Sequence, residues 1–423
     1  MVILAKFQAP KGVSEYFPPN SKYFEFVRSV LIQHATIAGY EPIELPVFED
    51  TEVFTRGVGE STDVVSKEMY TFEDRGGRSV TLRPEGTAGV MRAVIEHNLD
   101  KGQLPVKLCY SGAFFRAERP QAGRYRQFYQ VGIEAIGCDE PELDVEVIAV
   151  ADSAFKALGL KKYKLNITSL GDSQSREKHR KDLVTFINGL KLDEATQKRA
   201  ELNPLRLFDD KREEIQSKMK TAPILLHYLN ASSREHFEKV KTHLEKLGIN
   251  FYINPKMVRG LDYYTGTTFE FEHELLGAQS GIGGGGRYDG LMKSLGGGEV
   301  SGIGFGIGVD RVLLACQAED VLPEHTNRLD LFVVPISQSA KDFGLNLISE
   351  LRKLGKSCDL AYGNKGLKGG MKSADKRGAK FALVLGDDEI VSKMCQLKLM
   401  SNGQMISSTL NASELAQKIG SFQ

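Results

Sequence analysis

The segment FRAERPQAGRYRQF concentrates permanent positive charge among aromatic residues, and its arginines are Arg116, Arg119, Arg124 and Arg126. Guanidinium groups are planar and donate paired hydrogen bonds, so a cluster of them suits phosphate oxygens. Tyr125 or Phe128 would then offer a flat face to a purine. The alternative for any single arginine is a structural ion pair with Glu118 or Glu134. Four arginines around one glycine turn favour a nucleotide-binding hairpin.

A further arginine, Arg311, follows the glycine-rich stretch GIGFGIG. Glycines let a backbone approach a ligand closely, and an arginine in the first turn of the next helix is placed to reach a phosphate or cover a base. The alternative is a packed strand-helix corner with a surface arginine. Ile307 and Val309 occupy positions that disfavour a GxGxxG dinucleotide motif, and GGGGRYDG lacks the Lys-Ser/Thr of a P-loop.

Two pairs of polar residues lie at predicted strands. Glu85 and Thr87 stand between a predicted strand and a predicted helix in TLRPEGTAG, where they either cap the helix or capture an amine. Gln130 and Glu134 are four apart in the predicted strand YRQFYQVGIEAIG, so their side chains share one face of the sheet. An amide and a carboxylate on an otherwise apolar strand indicate a polar ligand.

The segment RGLDYYTGT brings together Arg259, Asp262, Tyr263 and Tyr264 beside a predicted turn. Taken alone, two tyrosines and an arginine favour an ordinary sheet edge. Together with the arginines and carboxylates above, they indicate another part of one ligand site.

The order of the predicted elements defines the fold class. A helix over 20–38 precedes a proline-containing edge or interface strand, a Gly-Gly hairpin and two long strands around the loop RPQAGR. Strands followed by helices, without a regular βαβ repeat, predict an α+β fold whose largely antiparallel sheet is flanked by helices. The predicted parts are a main domain over 1–168, a charged helical insertion over 169–250, the return of the main domain over 251–322, and a C-terminal α/β domain over 329–423.

Composition narrows the possible classes of function. The 423 residues carry 55 Lys+Arg and 55 Asp+Glu, so the overall charge gives no sign of a polyanionic partner. No apolar run has the length of a membrane helix, and the apolar run of MVILAKFQAPKG is too short for a secretory signal. The five cysteines form no CxxC pair, and the histidines show no metal-ligand spacing. We therefore predict a cytoplasmic protein without membrane association or a protein-bound metal.

One local segment departs from this neutral balance. NKGLKGGMKSADKRGAK contains five lysines and one arginine against a single acid. Such a patch is a candidate for phosphate contacts with a nucleic acid, and its alternative is a solvated helix face. The residues concerned are Lys365, Lys368, Lys372 and Lys376.

In chain order, these motifs resemble those of class II aminoacyl-tRNA synthetases, specifically the histidyl-tRNA synthetase family. GYEPIELPVFE resembles the family's first motif, whose strand helps form a dimer interface; FRAERPQAGRYRQF resembles the second and GIGFGIGVDR the third. RGLDYYTGT and GGRYDGL resemble two signatures that separate the histidine enzymes from other class II enzymes. The resemblance covers nearly the whole chain, and it implies a catalytic antiparallel sheet, a helical insertion and a C-terminal anticodon-binding domain.

The resemblance implies activation of L-histidine with ATP to histidyl-adenylate, then transfer to the 3′ end of histidine tRNA. ATP would carry Mg²⁺ on its phosphates, with Arg116 and Arg311 on the phosphates and Arg259 on the α-phosphate as catalytic arginines. The implied ATP site also includes Arg124, Tyr125 and Phe128. The implied histidine site consists of Glu85, Thr87, Gln130, Glu134, Arg259, Tyr263 and Tyr264.

The resemblance also implies a homodimer and a tRNA-binding surface. Arg119 and Arg124 are the candidates for the acceptor end, and the four lysines of the basic patch are those for the anticodon side. The chain departs from the family pattern near its N-terminus, where KGVSE has Lys11 and Glu15 in place of Arg and Asp. Two other classes remain open: a histidine-sensing regulatory paralogue, which would ordinarily lack the C-terminal domain, and a pure RNA-binding protein, which would not need this set of carboxylates.

Overall fold

The computed structural model describes residues 7–60, 62–324, 329–363 and 365–422. These residues form two compact units, one ending at Leu322 and one beginning at Pro323. The first six residues, which were considered above as part of a signal sequence, and the last residue of the predicted C-terminal domain lie outside the described residues.

The first unit is built on a large sheet that is antiparallel except at its two edges. Its strands are β1 (Glu41–Pro42), β2 (Phe48–Asp50), β3 (Tyr70–Glu73), β4 (Ser79–Leu82), β5 (Val106–Phe115), β6 (Gln127–Ile136), β7 (Tyr163–Ser169), β8 (Tyr252–Ile253), β9 (Thr265–His273), β10 (Gly281–Arg287) and β11 (Gly302–Gly308). The large sheet has the order β1-β5-β6-β11-β10-β9-β7-β8, and β2-β4-β3 form a small one. The edge strand β1 pairs in parallel with β5, and the other edge strand, β8, pairs in parallel with β7. The antiparallel sheet and its proline-containing edge strand are confirmed.

The helices of this unit lie between its strands along the chain, and the predicted helix over 20–38 is among them. They are α1 (Asn20–Ile37), α2 (Thr51–Val58), α3 (Thr87–Glu96), α4 (Pro141–Ala157), α5 (Ser173–Asn188), α6 (Glu194–Leu202), α7 (Glu213–Lys218), α8 (Ala231–Lys246), α9 (Leu291–Ser294) and α10 (Val309–Glu319). Shorter helical turns span Val64–Glu68, Leu99–Lys101, Pro204–Leu207, Met219–Thr221, Leu225–Tyr228 and Glu274–Gln279. None of the described helices is long and apolar enough to cross a membrane.

The two faces of strand β6 have different surroundings: one packs in the core of the unit, and the other lies on the opposite side of the sheet. Val131, Ile133 and Ala135 are fully buried in the core formed with α1 and α4. Because side chains alternate along a strand, Gln130 and Glu134 lie on the other face. Burying each large apolar side chain contributes roughly 1.5–3 kcal/mol to folding, so this alternation holds the register that positions the polar pair.

The segment predicted as an insertion contains α5 to α8, but these helices do not share one core. Helices α5 to α7 enclose a small core that includes Leu183, Leu207 and Met219. Helix α8 packs on α4 instead, and its Phe237 and Leu244 belong to the main core. The boundaries 169–250 therefore remain a prediction; the stretch with its own small core ends near residue 222.

The second unit is an α/β domain with a mixed sheet. Its elements are β12 (Leu329–Pro335), α11 (Gln338–Lys353), β13 (Cys358–Leu360), α12 (Leu367–Lys376), β14 (Ala379–Leu385), α13 (Asp387–Ser392), β15 (Met394–Leu399), β16 (Met405–Thr409) and α14 (Ala412–Gly420). The sheet order is β13-β12-β14-β15-β16, with the first three strands parallel and the last two antiparallel. The three parallel strands have the β-α-β-α-β connection that the sequence predicts.

Candidate active site

A cavity of about 300 Å³ opens on the polar face of the large sheet. It lies over β6, β10 and β11 and is closed by the start of α3, the loop between β5 and β6, the segment 258–264 and the start of α10. The predicted site residues that line it are Glu85, Thr87, Arg116, Arg124, Tyr125, Phe128, Gln130, Arg259, Tyr263, Tyr264 and Arg311. Motifs far apart in the sequence therefore meet in one place.

The carboxylate of Glu85 both caps a helix and faces this cavity. It accepts hydrogen bonds from the backbone N–H groups of Thr87 and Ala88, at 2.8 and 2.9 Å, and from the Tyr263 hydroxyl at 3.2 Å. Burial raises its pKa, while these donors work in the opposite direction. The capping and amine-binding interpretations are thus compatible, because one carboxylate can accept backbone bonds and still attract an ammonium group.

Glu134 lies behind the cavity wall instead of lining it. Its carboxylate accepts hydrogen bonds from the hydroxyls of Thr87 (2.8 Å), Tyr110 (3.3 Å) and Tyr288 (2.6 Å). Burial, opposed by these hydroxyls, raises the pKa of Glu134 to about 8. Gln130 does line the cavity, so the predicted shared face is correct but the two side chains lie at different depths.

Glycine at position 304 is what makes room for this buried carboxylate. In β11, Gly304 pairs with Glu134 of β6, and a Cβ atom there would lie 2.0 Å from Glu134 Oε2. Gly132 has the same function on β6, since a Cβ would lie 2.2 Å from the Tyr110 ring. The glycine-rich strand thus gives space to side chains beneath the cavity as well as to the cavity itself.

Arg116 and Arg311 approach the cavity from two sides. Arg116 donates from Nε to the carbonyl of Pro84 at 2.9 Å, and its guanidinium lies 5.3 Å from the Phe128 ring centre. Arg311 donates to the carbonyls of Gly123 and Gly281, each at 2.7 Å. These bonds fix both guanidiniums without neutralising them, so their charge is available to an anion in the cavity.

Arg259 is largely buried beside an acid and an aromatic ring. Its Nη1 lies 3.5 Å from Glu270 Oε2, and its guanidinium centre lies 5.1 Å from the ring centre of Tyr264. A Cβ at Gly284 would come within 3.0 Å of both terminal nitrogens. The run of glycines in β10 therefore allows the guanidinium to lie against the sheet.

The expectation that the four loop arginines form one nucleotide cradle is corrected. Arg126 ties the loop to the N-terminal segment: its N–H donates to the carbonyl of Gly12 at 2.7 Å, and its Nε donates to that of Glu118 at 3.2 Å. Arg124 lines the cavity but forms an ion pair with Glu118, the structural role considered above. Arg119 is exposed and is not among the cavity-lining residues. The cradle interpretation failed because spacing alone does not reveal which side of a loop a side chain takes.

The sequence does not mark several residues of the site as site residues. Tyr110, Glu270 and Asp310 line the cavity, and Tyr288 bonds Glu134 from behind it. Asp310 accepts the N–H of Tyr129 at 2.7 Å and a phenol hydroxyl from the N-terminal segment. Tyr288 and Asp310 lie within the quoted motifs GGRYDGL and GIGFGIGVDR, whereas Tyr110 and Glu270 have no motif signal, since single acids and tyrosines on strands are common.

The site has no cluster that would hold a metal by itself. Across the described ranges, no three histidine, cysteine, aspartate or glutamate side chains come together as metal ligands. Two carboxylates of the cavity wall contact arginines directly: Glu118 contacts Arg124, and Glu270 contacts Arg259.

An antiparallel sheet with glycines and arginines on its open face, followed by an α/β domain, defines the class of protein: the class II aminoacyl-tRNA synthetases. The family model described as Histidyl-tRNA synthetase matches residues 12–312, and the one described as Anticodon binding domain matches residues 330–421. The chain belongs to the histidyl-tRNA synthetase family. It is an ATP-dependent aminoacyl-tRNA synthetase, and the expected fold class with its C-terminal anticodon-binding domain is confirmed.

Individual relatives agree with this assignment. Histidine--tRNA ligase of Saccharopolyspora erythraea is 60% identical over 401 residues, covering 95% of this chain and 96% of the relative. That of Nocardia farcinica is 60% identical over 403 residues, with the same coverage. The crystal structure of apo S. aureus histidyl-tRNA synthetase superposes with a TM-score of 0.82 at 35% identity, covering 98% of this chain and all of the other. A structure from Bacillus halodurans titled as an ATP phosphoribosyltransferase regulatory subunit/histidyl-tRNA synthetase has a TM-score of 0.65 at 22% identity, which shows the shared fold only.

Proposed function

We propose that this chain joins L-histidine to histidine tRNA in two steps. The histidine carboxylate attacks the α-phosphorus of ATP, histidyl-adenylate forms and pyrophosphate leaves; the terminal ribose hydroxyl of the tRNA then displaces AMP. The observation that carries the proposal is the convergence of Glu85, Gln130, Arg259, Tyr264 and Arg311 on one cavity. An amine-binding carboxylate, imidazole partners and phosphate-binding arginines within one cavity suit this reaction.

Histidine is proposed to bind at the end of the cavity near α3. Glu85 attracts the α-ammonium, with Thr87 and Gln130 beside it. Tyr263 and Tyr264 have ring centres 4.8 Å apart and present phenols to the imidazole. We propose that Glu134 acts indirectly, by accepting hydrogen bonds from the hydroxyls of Thr87 and Tyr110 and so holding them in place. A site that hydrogen-bonds both ring nitrogens rejects amino acids that lack them, because its buried polar groups would be left without partners.

ATP is proposed to occupy the arginine side of the cavity. Arg259 stabilises the charge that develops on the α-phosphate as the carboxylate attacks, and Arg116 and Arg311 bind the other phosphates. Tyr125 and Phe128 supply flat faces for the adenine. Because the three arginines are partly buried, their charges act more strongly than they would in bulk water. Arg116 and Arg311 are also held in place by backbone carbonyl groups.

Mg²⁺ fits this site as a cation that arrives with the nucleotide. Magnesium keeps several waters and usually binds through one or two carboxylates together with substrate phosphates. Glu118 and Glu270 are the carboxylates of the wall that would hold it, since Glu85 already accepts three hydrogen bonds and Asp310 accepts two. Bound there, the ion would neutralise phosphate charge.

The tRNA surface is proposed to include residues of both units. Arg119 is exposed on the loop above the cavity, and Arg124 lies at the cavity wall, both in position to meet an acceptor end. On α12, Lys368, Lys372 and Lys376 are all exposed, and they follow each other at four-residue intervals along the helix. Lys365 precedes this helix and donates to Ser373 Oγ at 3.0 Å. A cytoplasmic location remains a prediction.

We further propose that the chain forms a homodimer through the small sheet β2-β4-β3. Phe48 and Phe72 lie 6.4 Å apart between ring centres and are 55% and 47% exposed, with Val47 beside them 44% exposed. Exposed apolar clusters of this kind mark protein interfaces. Phe48→Glu with Phe72→Glu should shift sedimentation from dimer to monomer, whereas Leu345→Glu, at an exposed position of α11, should not. A wild-type monomer at micromolar concentration would refute the proposal.

The first experiment is histidine-dependent exchange of labelled pyrophosphate into ATP, with each other amino acid as a control. Exchange with histidine alone, followed by histidine transfer to tRNA, is the expected result. Histidine binding without exchange would contradict the proposal and favour the sensing paralogue.

A further inference from the structure

A second cavity lies next to the first, on the insertion side of the sheet. It encloses about 430 Å³ between α5, the turn Pro204–Leu207 and the segment 255–264. The residues that line both cavities are Val258, Arg259, Leu261 and Tyr264. The proposed reaction makes no use of the second cavity. Its wall nevertheless includes Arg259 and Tyr264, which would bind phosphate and imidazole in the first cavity.

The wall of the second cavity is mainly apolar. Leu170, Leu183, Leu205, Phe208 and Met257 contribute to it. Small-molecule sites typically have volumes of about 300–1,000 Å³ and combine such walls with a few convergent polar groups. A ligand of this cavity should therefore have an apolar body about the size of a single aromatic ring or of two fused rings.

Two arginines of the wall have N–H groups that lack a hydrogen-bond acceptor in the described part of the chain. Arg176 and Arg259 both line the cavity, and the Nε atom of each is buried without a hydrogen-bond partner among the described residues. Arg176 otherwise donates from Nη1 to the carbonyl of Tyr264 at 2.9 Å. A buried donor without an acceptor is costly, so both positions favour an oxygen atom in the cavity.

The net charge of the wall favours an anionic acceptor over a neutral one. Arg180 and Lys256 add two further cations, while the acids of the wall are Glu177 and Asp262. Glu177 already pairs with Lys181 at 2.8 Å. An arginine binds a carboxylate through two parallel hydrogen bonds more strongly than it binds a neutral oxygen.

We propose that the second cavity binds a small aromatic carboxylate, with its ring among the leucines and its carboxylate on Arg176. The ligand would also touch Arg259 and Tyr264 from behind. Its binding would then slow adenylate formation without displacing histidine; this consequence, unlike the binding itself, rests on the proposed function.

The test measures binding to the full chain by calorimetry, with naphthalene-2-carboxylate as the probe and its neutral amide as the isosteric control. The carboxylate should bind with one-to-one stoichiometry, also in the presence of saturating histidine, and at least tenfold more tightly than the amide. Arg176→Met should weaken its binding at least tenfold, and Leu205→Trp, which fills the cavity, should abolish it. Lys178→Met, on the same helix but outside the cavity wall, should leave it unchanged.

Four results would overturn the proposal: no binding of the carboxylate, equal binding of the amide, binding unaffected by Arg176→Met and Leu205→Trp, or displacement of the probe by histidine. If Arg176→Met lowers the melting temperature strongly, Arg176→Lys replaces it, because lysine keeps the charge but loses the paired donors. Binding needs no turnover, so a chain inactive in pyrophosphate exchange would refute the proposed function while leaving this inference to its own test.

Discussion

The two units of the chain use charge in opposite ways. In the cavity of the first unit, the carboxylate of Glu85 is almost fully buried and accepts three hydrogen bonds, from the backbone of Thr87 and Ala88 and from the Tyr263 hydroxyl. On α12, by contrast, Lys368, Lys372 and Lys376 are exposed to solvent. Buried charges interact strongly and depend on geometry, whereas exposed charges are screened by salt and act together. Single substitutions should therefore have large, specific effects in the first unit and small, additive effects in the second.

Arg259→Ala should produce the largest effect. It removes the charge that would stabilise the attacked α-phosphate, and loss of one such group typically costs about 10²–10³ in rate. Pyrophosphate exchange should fall by that factor while the histidine Kd, measured by calorimetry, changes little. Arg28→Ala, on the exposed face of α1, is the control. Unchanged exchange would remove Arg259 from the mechanism.

Glu85→Gln should raise the KM for histidine by about one to two orders of magnitude, because the buried anion opposite the ammonium is lost. The pKa of Glu85 is raised by burial, so protonation at lower pH should neutralise it and weaken histidine binding in the wild type. The imidazole of histidine titrates in both proteins, so the ratio of the two KM values isolates Glu85. This ratio should shrink as pH falls; a constant ratio would contradict the assignment.

Glu134→Gln tests the buried carboxylate behind the cavity through stability. The native pKa of about 8 lies above the usual value of 4.5, so the folded protein holds a proton that the unfolded chain releases between these values. The stability that Glu134 contributes is complete below the lower value and is lost as pH rises through about 8. As the pH rises from 5 to 9, the thermal midpoint of the variant should therefore increase relative to that of the wild type, by about a few degrees. Glu245→Gln, exposed on α8, should run parallel to the wild type; parallel curves for both would count against a raised pKa.

Lys368→Ala and Lys372→Ala should have the smallest effects. Each removes one exposed cation, so tRNA binding should weaken only a fewfold, and the slope of log K against log salt should fall by about one per lysine that contacts phosphate. Filter binding between 50 and 200 mM salt measures both quantities. Lys353→Ala, on α11 and paired with Glu350, is the matched control. Loss of all tRNA binding from a single lysine would contradict the contrast between the units.

The sequence predicted the fold better than it predicted the details of the site. The β5-β6 hairpin, the Gly-Gly turn and the α/β order of the second unit follow from local patterns, and all are present. The loop arginines show the limit: their clustering was visible, but the roles of Arg126 and Arg124 depend on Gly12 and Glu118, and spacing gives no information about such contacts. Helix α8 shows the same limit, because a charged amphipathic sequence does not specify which core its apolar stripe joins.

The sequence by itself determined the class of residues in the site, the alternation that puts Gln130 and Glu134 on one face, and the motifs that identify the family. Only the tertiary structure decided that Glu134 lies behind Thr87, that Gly304 makes room for it, and that a second cavity adjoins Arg259. The physical reason is that periodicity is a local property of the chain. Depth, hydrogen-bond partners and cavities arise where strands distant in sequence pack together, and their cost or benefit is set by neighbours that no single segment specifies.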